Sequence, residues 1–216
     1  SLPLSVQQSL KKRCLLKVIS GLANFDTASV AMVANAAGAG GADLLDVACD
    51  PELVGLAIER SGLPVCVSSV EPDLFPASVA AGAAMIEIGN FDSFYPKGIT
   101  FEAAEVLALT RRTRELLPDV VLSVTVPHII PLDQQAELAR ELVFAGVDLI
   151  QTEGGTKARP LSAGSLGLIE KAAPTLAATQ TIARTFLEIE STVPILSASG
   201  ISEVTIPMAI ASGASG

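Results

Sequence analysis

Three polar side chains occupy the same place in a repeated phrase. Gly41-Ala42-Asp43-Leu44-Leu45-Asp46, Gly82-Ala83-Ala84-Met85-Ile86-Glu87 and Gly146-Val147-Asp148-Leu149-Ile150-Gln151 each put a polar residue five positions after a glycine, inside an apolar run. Lys17 interrupts a fourth such run, Leu15 to Ser20, and is the only cation placed inside a predicted strand. A carboxylate buried in a strand must be protonated or paired. Asp46, Glu87 and Lys17 therefore predict one of two things. They form an ion-pair network that fixes strand register, or a general acid/base pair beside an electrophilic lysine. A lysine flanked by carboxylates stays protonated, so a Schiff-base role for Lys17 is the weaker form of the second reading.

Other residues qualify by position. Glu153 shares the face of Gln151 by strand alternation, and His128 follows the fifth predicted strand. His128 reads as a structural hydrogen-bonder or as a proton carrier. The catalytic candidates are thus Lys17, Asp46, Glu87, Glu153 and His128. Gly154 and Gly155 end the sixth strand, and Ser199 and Gly200 end the seventh. Backbone N–H groups uncrowded by a Cβ can hold phosphate there, or the glycines simply make tight turns. Asn24 and Asn90 are second-rank candidates. Phe91, Phe94 and Tyr95 cluster in one loop and fit a ligand cover, core packing or a subunit contact equally.

The elements that must position these residues alternate strictly. Strands are predicted at Leu15–Ser20, Leu44–Cys49, Val65–Ser69, Met85–Gly89, Val120–Val126, Leu149–Thr152 and Pro194–Ser199, with Gly213–Gly216 opening an eighth. Helices lie between them, started by Asp26 or Thr27 and by Asp50-Pro51, and stopped by Gly38–Gly41 and Ser61-Gly62. A short lead-in helix covers Leu4–Lys12. The sixth helix of the series runs from Ser165 to Ile189 with a break expected at Pro174. Glu153–Gly164 is long enough to be a lid or a binding loop. Strand–helix units of this kind build a parallel sheet with right-handed crossovers. A second phrase alternates with the first: Leu63-Pro64-Val65, Leu117-Pro118-Asp119 and Val193-Pro194-Ile195. Two alternating phrases suit the interlocking layers of a (β/α)₈ TIM barrel better than an open doubly wound sheet. The prediction is a single barrel domain over residues 1–216, incomplete at strand and helix eight. A continuation past Gly216 is expected, since an unsealed seam between strands one and seven exposes edges and favours homo-oligomers.

Composition excludes several classes. The net charge is −9 and the basic residues are scattered, which argues against nucleic acid. Lys11-Lys12-Arg13 and Arg111-Arg112-Thr113-Arg114 read as solvated helix faces. No apolar run approaches the ~18 residues of a membrane span. Cys14, Cys49 and Cys66 lack metal-ligand spacing and sit far from His128 in sequence, so buried reduced thiols are expected and no metal site is. No cofactor is specified.

Long stretches are similar to a known family. Asp46-Val47-Ala48-Cys49-Asp50-Pro51-Glu52-Leu53, Val67-Ser68-Ser69-Val70-Glu71-Pro72, Glu87-Ile88-Gly89-Asn90-Phe91-Asp92, Leu122-Ser123-Val124-Thr125-Val126-Pro127-His128, Gln151-Thr152-Glu153-Gly154-Gly155-Thr156 and Ala198-Ser199-Gly200 resemble the hypothetical chloroplast reading-frame twenty-three family. The resemblance implies a ribulose-phosphate-binding type of barrel in a cyanobacterial cytoplasm or a plastid stroma, and it transfers no catalytic residue. Two functional classes stay open. One is an isomerase, epimerase or lyase on a small phosphorylated metabolite. The other is a non-catalytic binding or regulatory protein on the same scaffold.

Overall fold

The computed structural model describes residues 1–154 and 158–216. Seven strands form one parallel sheet: β1 (Lys17–Ile19), β2 (Leu44–Ala48), β3 (Val65–Ser69), β4 (Met85–Ile88), β5 (Val121–Val126), β6 (Leu149–Thr152) and β7 (Ile195–Ser197). Each bonds to the next in chain order, so no strand is skipped along the sheet. The helices are α1 (Leu4–Lys11), α2 (Thr27–Ala39), α3 (Pro51–Ser61), α4 (Phe75–Ala80), α5 (Ala103–Leu116), α6 (Leu132–Phe144), α7 (Gly164–Glu188) and α8 (Ile206–Ala211). The Asp26 carboxylate accepts from the N–H groups of Ala28 and Ser29 to start α2. Asp50 does the same for Glu52 and Leu53 in α3, with Pro51 at the first helical position.

The strands separate two cores by side-chain parity. Leu45, Val47, Val65, Val67, Ile86, Ile88, Leu122, Val124 and Ile150 point outward and pack under the helices. Leu44, Met85 and Leu149 point inward with Leu15, Cys66, Val121 and Leu196, and Val6 of α1 closes this cluster. Each of these three inward residues lies two positions before Asp46, Glu87 or Gln151. The polar residues therefore sit one layer above an apolar floor.

The seam between β7 and β1 is bridged by the last two residues. Ser215 N–H donates to Ile195 at 2.7 Å, and Ser197 N–H donates to Gly216 at 3.0 Å. On the other side Leu15 N–H donates to the Ser215 carbonyl at 3.3 Å. Ser215–Gly216 thus lies where an eighth strand begins, and the Arg13 guanidinium donates to the Ala214 carbonyl at 2.9 Å beside it. The architecture is a TIM barrel of seven parallel strands with the eighth incomplete.

Several boundaries differ from the sequence expectation. α7 continues through Pro174 without a break. A proline inside a helix costs about 3 kcal/mol, but tertiary bonds hold the turns that follow it: the Thr175 hydroxyl donates to the Ser199 carbonyl at 2.7 Å, and the Thr179 and Ser197 hydroxyls lie 2.6 Å apart. The third predicted helix divides into a 3₁₀ turn, Pro72–Leu74, and α4, because Pro72 and Pro76 each start a helical segment. The helix after β7, α8, is short, with Thr205 folded back on Ser202 in a turn before it. Cys14 is exposed, whereas Cys49 and Cys66 are buried.

Gly89 at the end of β4 shows how tightly the mouth is packed. Its φ is +151°, and an added Cβ would lie 2.1 Å from Thr125 Oγ1 and 2.3 Å from Thr125 Cβ. Gly89→Ala should therefore cost about 3 kcal/mol or more in urea unfolding. An unchanged midpoint would contradict this contact.

Candidate functional site

Four strands deliver the interior polar layer. Lys17 enters from β1, Asp46 from β2, Glu87 from β4 and Gln151 from β6. The Lys17 ammonium lies 2.6 Å from Asp46 Oδ2 and 2.7 Å from Glu87 Oε2, and it donates to Gln151 Oε1 at 3.0 Å. Three N–H donors thus meet three acceptors. Gln151 Nε2 donates to Glu87 Oε1 at 2.8 Å, so the amide orientation is set by a cation on one side and an anion on the other. The Ser68 hydroxyl donates to Asp46 at 2.7 Å, and Asn90 Nδ2 donates to the Ser68 hydroxyl at 2.9 Å. The Thr125 hydroxyl lies 3.3 Å from Glu87 Oε1. Asp46 and Glu87 are fully buried.

Burial and charge oppose each other in this layer. Burial alone would push Lys17 down, but the charges of Asp46 and Glu87 outweigh it and hold the ammonium well above its ordinary value. Glu87 is displaced upward, first by desolvation, against the downward pull of Lys17. Burial, then the Asp46 charge, pushes the Cys66 thiol far up and keeps it protonated. One cation thus holds two acids, and a neutral amide at position 151 avoids a third. The geometry keeps Lys17 charged and holds the Glu87 carboxyl above its ordinary value.

A second group sits at the C-terminal ends of the strands. The Glu153 Oε1 oxygen accepts from the Tyr95 hydroxyl in a short bond and from the His128 backbone N–H at 3.1 Å. It also lies 3.1 Å from His128 Nδ1. Asp92 Oδ1 lies 3.4 Å from the same Nδ1, and the Ser199 hydroxyl donates to Asp92 Oδ2 at 3.1 Å. Phe101 holds the loop that carries Asp92 and Tyr95 by packing on Phe91 and Phe94, and Tyr95 meets the His128 ring edge-on. Burial, then the Glu153 charge, raises the Tyr95 hydroxyl and fixes it as a donor.

The candidates therefore fall into two groups. Lys17, Asp46 and Glu87 meet at the axis, and His128 and Glu153 meet above them. Ser199 and Gly200 line a cavity of about 560 Å³ along the seam, which also touches Lys17, Gln151 and Ser197. Gly154 packs against α7: a Cβ there would come within 3.0 Å of Pro174 and 3.1 Å of Thr175 N. Gly155 lies outside the described residues. Asn24 binds Ser20 and Ser29 within its own loop. Sequence reasoning passed over Ser68 and Asp92. Asp92 stands four residues past the end of β4, on the strand face where barrel sites occur, and that position was a readable signal.

The family model described as "Protein of unknown function (DUF561)" matches residues 2–216. The chain belongs to the DUF561 family. "Uncharacterized protein ycf23" of Cyanophora paradoxa is 44% identical over 212 residues, covering 98% of this chain and 85% of that protein. The protein of the same name from Pyropia yezoensis is 37% identical over 200 residues, covering 93% and 71%. These relatives are encoded in plastid genomes. Among solved structures, the tetrameric deoxyribose phosphate aldolase from Aeropyrum pernix aligns with TM-score 0.61 at 15% identity, covering 98% of this chain and 90% of that one. The phosphoenolpyruvate phosphomutase from Streptomyces platensis subsp. rosaceus aligns with TM-score 0.62 at 14% identity, covering 98% and 78%. At such identities the likeness shows the barrel fold alone. No helix among the described residues is long and apolar enough to cross a membrane.

The polar layer makes a stability prediction. Lys17→Met leaves two buried acids without their cation and should cost about 3–5 kcal/mol near neutral pH. Without the ammonium Glu87 moves further up, and a carboxyl raised in the folded state favours folding as pH falls. The Met variant should therefore regain stability between pH 7.5 and 5.5, more steeply than the wild type. Urea midpoints at the two pH values measure both effects, and a Met variant as stable as wild type at pH 7.5 would refute the network.

Proposed function

We propose that the chain binds a small phosphorylated metabolite in the seam cavity and acts on it as an isomerase, epimerase or lyase through proton transfer. The observation that carries this reading is that the cavity shares Lys17 and Gln151 with the interior layer and has Ser199 and Gly200 on its wall. Its volume suits a small ligand. The backbone at Ser199 and Gly200 has φ of +73° and +75°, and a turn of this kind can present N–H groups to a phosphate. The aldolase and the phosphomutase are named for phosphorylated compounds, which supports the ligand class by analogy.

In this reading Glu87 takes a proton from the substrate carbon or returns one to it. The negative charge that develops on the neighbouring oxygen is met by the Lys17 ammonium. To reach that oxygen the ammonium exchanges its bond to Gln151, the longest of its three and the one to a neutral acceptor. A Schiff base at Lys17 does not fit, because it needs a neutral amine where two acids enforce a charged one. One observation favours the non-catalytic alternative: all three Lys17 donors already have protein partners. Self-association, and residence in a plastid stroma or a cyanobacterial cytoplasm, belong to the same proposal.

Titration calorimetry with inorganic phosphate and with pentose phosphates tests binding, and proton NMR in deuterated water tests exchange at the substrate carbon. The enzyme reading expects saturable binding, exchange that Lys17→Gln abolishes, and no adduct on borohydride treatment. Binding without exchange supports the binding-protein reading. No binding at millimolar ligand overturns both, and a borohydride-trapped lysine adduct overturns the proton-transfer mechanism.

A further inference from the structure

The group above the axis contains a carboxylate that its hydrogen bonds do not account for. Glu153 is 3% exposed. Its Oε1 is crowded by Tyr95 and by two atoms of His128, whereas its Oε2 is buried and has no hydrogen-bond partner among the described residues. A buried anionic oxygen without a donor is costly and calls for a proton, a water or a cation. Asp92, His128 and Glu153 each offer a ligand atom, and these atoms all lie within 4.8 Å of one another. Two of the separations are 3.1 and 3.4 Å. Bonds of about 2.0–2.2 Å to one metal place neighbouring ligand atoms about 3.0–3.5 Å apart.

We propose that Asp92, His128 and Glu153 bind one divalent transition-metal cation at the C-terminal mouth of the barrel. A mixed set of one imidazole and two carboxylates suits zinc, manganese, cobalt or iron(II), and is less suited to calcium or magnesium, which take oxygen ligands. The supporting contacts are those of an oriented site. Ser199 donates to Asp92 Oδ2 and Asp92 Oδ1 lies 3.4 Å from His128 Nδ1, while the Tyr95 hydroxyl and the His128 backbone N–H hold Glu153 Oε1. Three protein ligands leave coordination positions for water or substrate. The Asp92 side chain is 22% exposed, so the approach is from the mouth. The other possible cluster, Asp46, Cys66 and Glu87, already holds a cation, the Lys17 ammonium.

The test is a titration of chelator-treated protein with MnCl₂ at physiological salt, read by the loss of the free Mn²⁺ signal in electron paramagnetic resonance. CoCl₂ read by its visible bands reports a nitrogen ligand. The proposal expects one saturable site per chain, weakened about tenfold or more by Asp92→Asn and by His128→Asn. Glu59→Gln, on an exposed helix surface, should leave the affinity unchanged. Circular dichroism checks the folding of each variant, and Asp92→Asn alone decides the matter if His128→Asn does not fold. No saturable site up to millimolar Mn²⁺ overturns the proposal. So does equal binding by Asp92→Asn and wild type, which marks adventitious attraction to a chain of net charge −9. The two groups share Ser199, which lines the seam cavity and donates to Asp92, so a phosphate titration of the metal-free wild type tests the cavity separately.

Discussion

The barrel depends on one cation held between two fully buried acids. Lys17 binds Asp46 and Glu87 at 2.6 and 2.7 Å, and both acids are fully buried. Desolvating three charges is expensive, and only close geometry with full hydrogen bonding offsets it. Ser68, Asn90, Thr125 and Gln151 supply that bonding from four further positions. The network constrains register as well. A slip of one residue in β2 or β4 would turn its acid under the helices and bring a leucine or isoleucine inward.

The apolar floor below makes this arrangement workable. Leu44, Met85 and Leu149 stand two residues before the polar positions, and Val6 of α1 seals them from beneath. The axial polar layer therefore meets solvent from the mouth and from the seam. Polar chemistry is concentrated at the strand C-terminal ends, where loops from β4, β5, β6 and β7 bring Asp92, Tyr95, His128, Glu153 and Ser199 within bonding distance of one another. In the axial layer all three Lys17 donors are paired, whereas the mouth group is partly open and has an unsatisfied oxygen.

Much of this could be read from the residues because repetition and parity are local signals. The spacing from Gly41 to Asp46, from Gly82 to Glu87 and from Gly146 to Gln151 marks both the strands and their inward faces. Asp50-Pro51 and Asp26 mark helix starts through bonds only two or three residues long. What escaped was set by contacts between distant segments. Pro174 looks like a break because the bonds from Thr175 and Thr179 to the β7 end cannot be seen locally. Gly154 looks like a phosphate-binding glycine, yet it lies against α7 twenty residues later. Asp92 joins His128 and Glu153 only once three loops are placed.

The seam carries a consequence for how the molecule assembles. Neighbouring strands can dock one after another as each crossover helix forms, because every sheet pairing joins consecutive strands. Lys17 and Gln151, however, are 134 residues apart, and they meet only when the ribbon has rolled up far enough to bring β1 across to β6. Until then Glu87 and Gln151 lack their contact to Lys17, whereas Asp46 lies on the strand beside it. Rolling up thus joins a large loop-closure entropy to the burial of these charges. Closing the sheet is therefore the step that completes the polar layer.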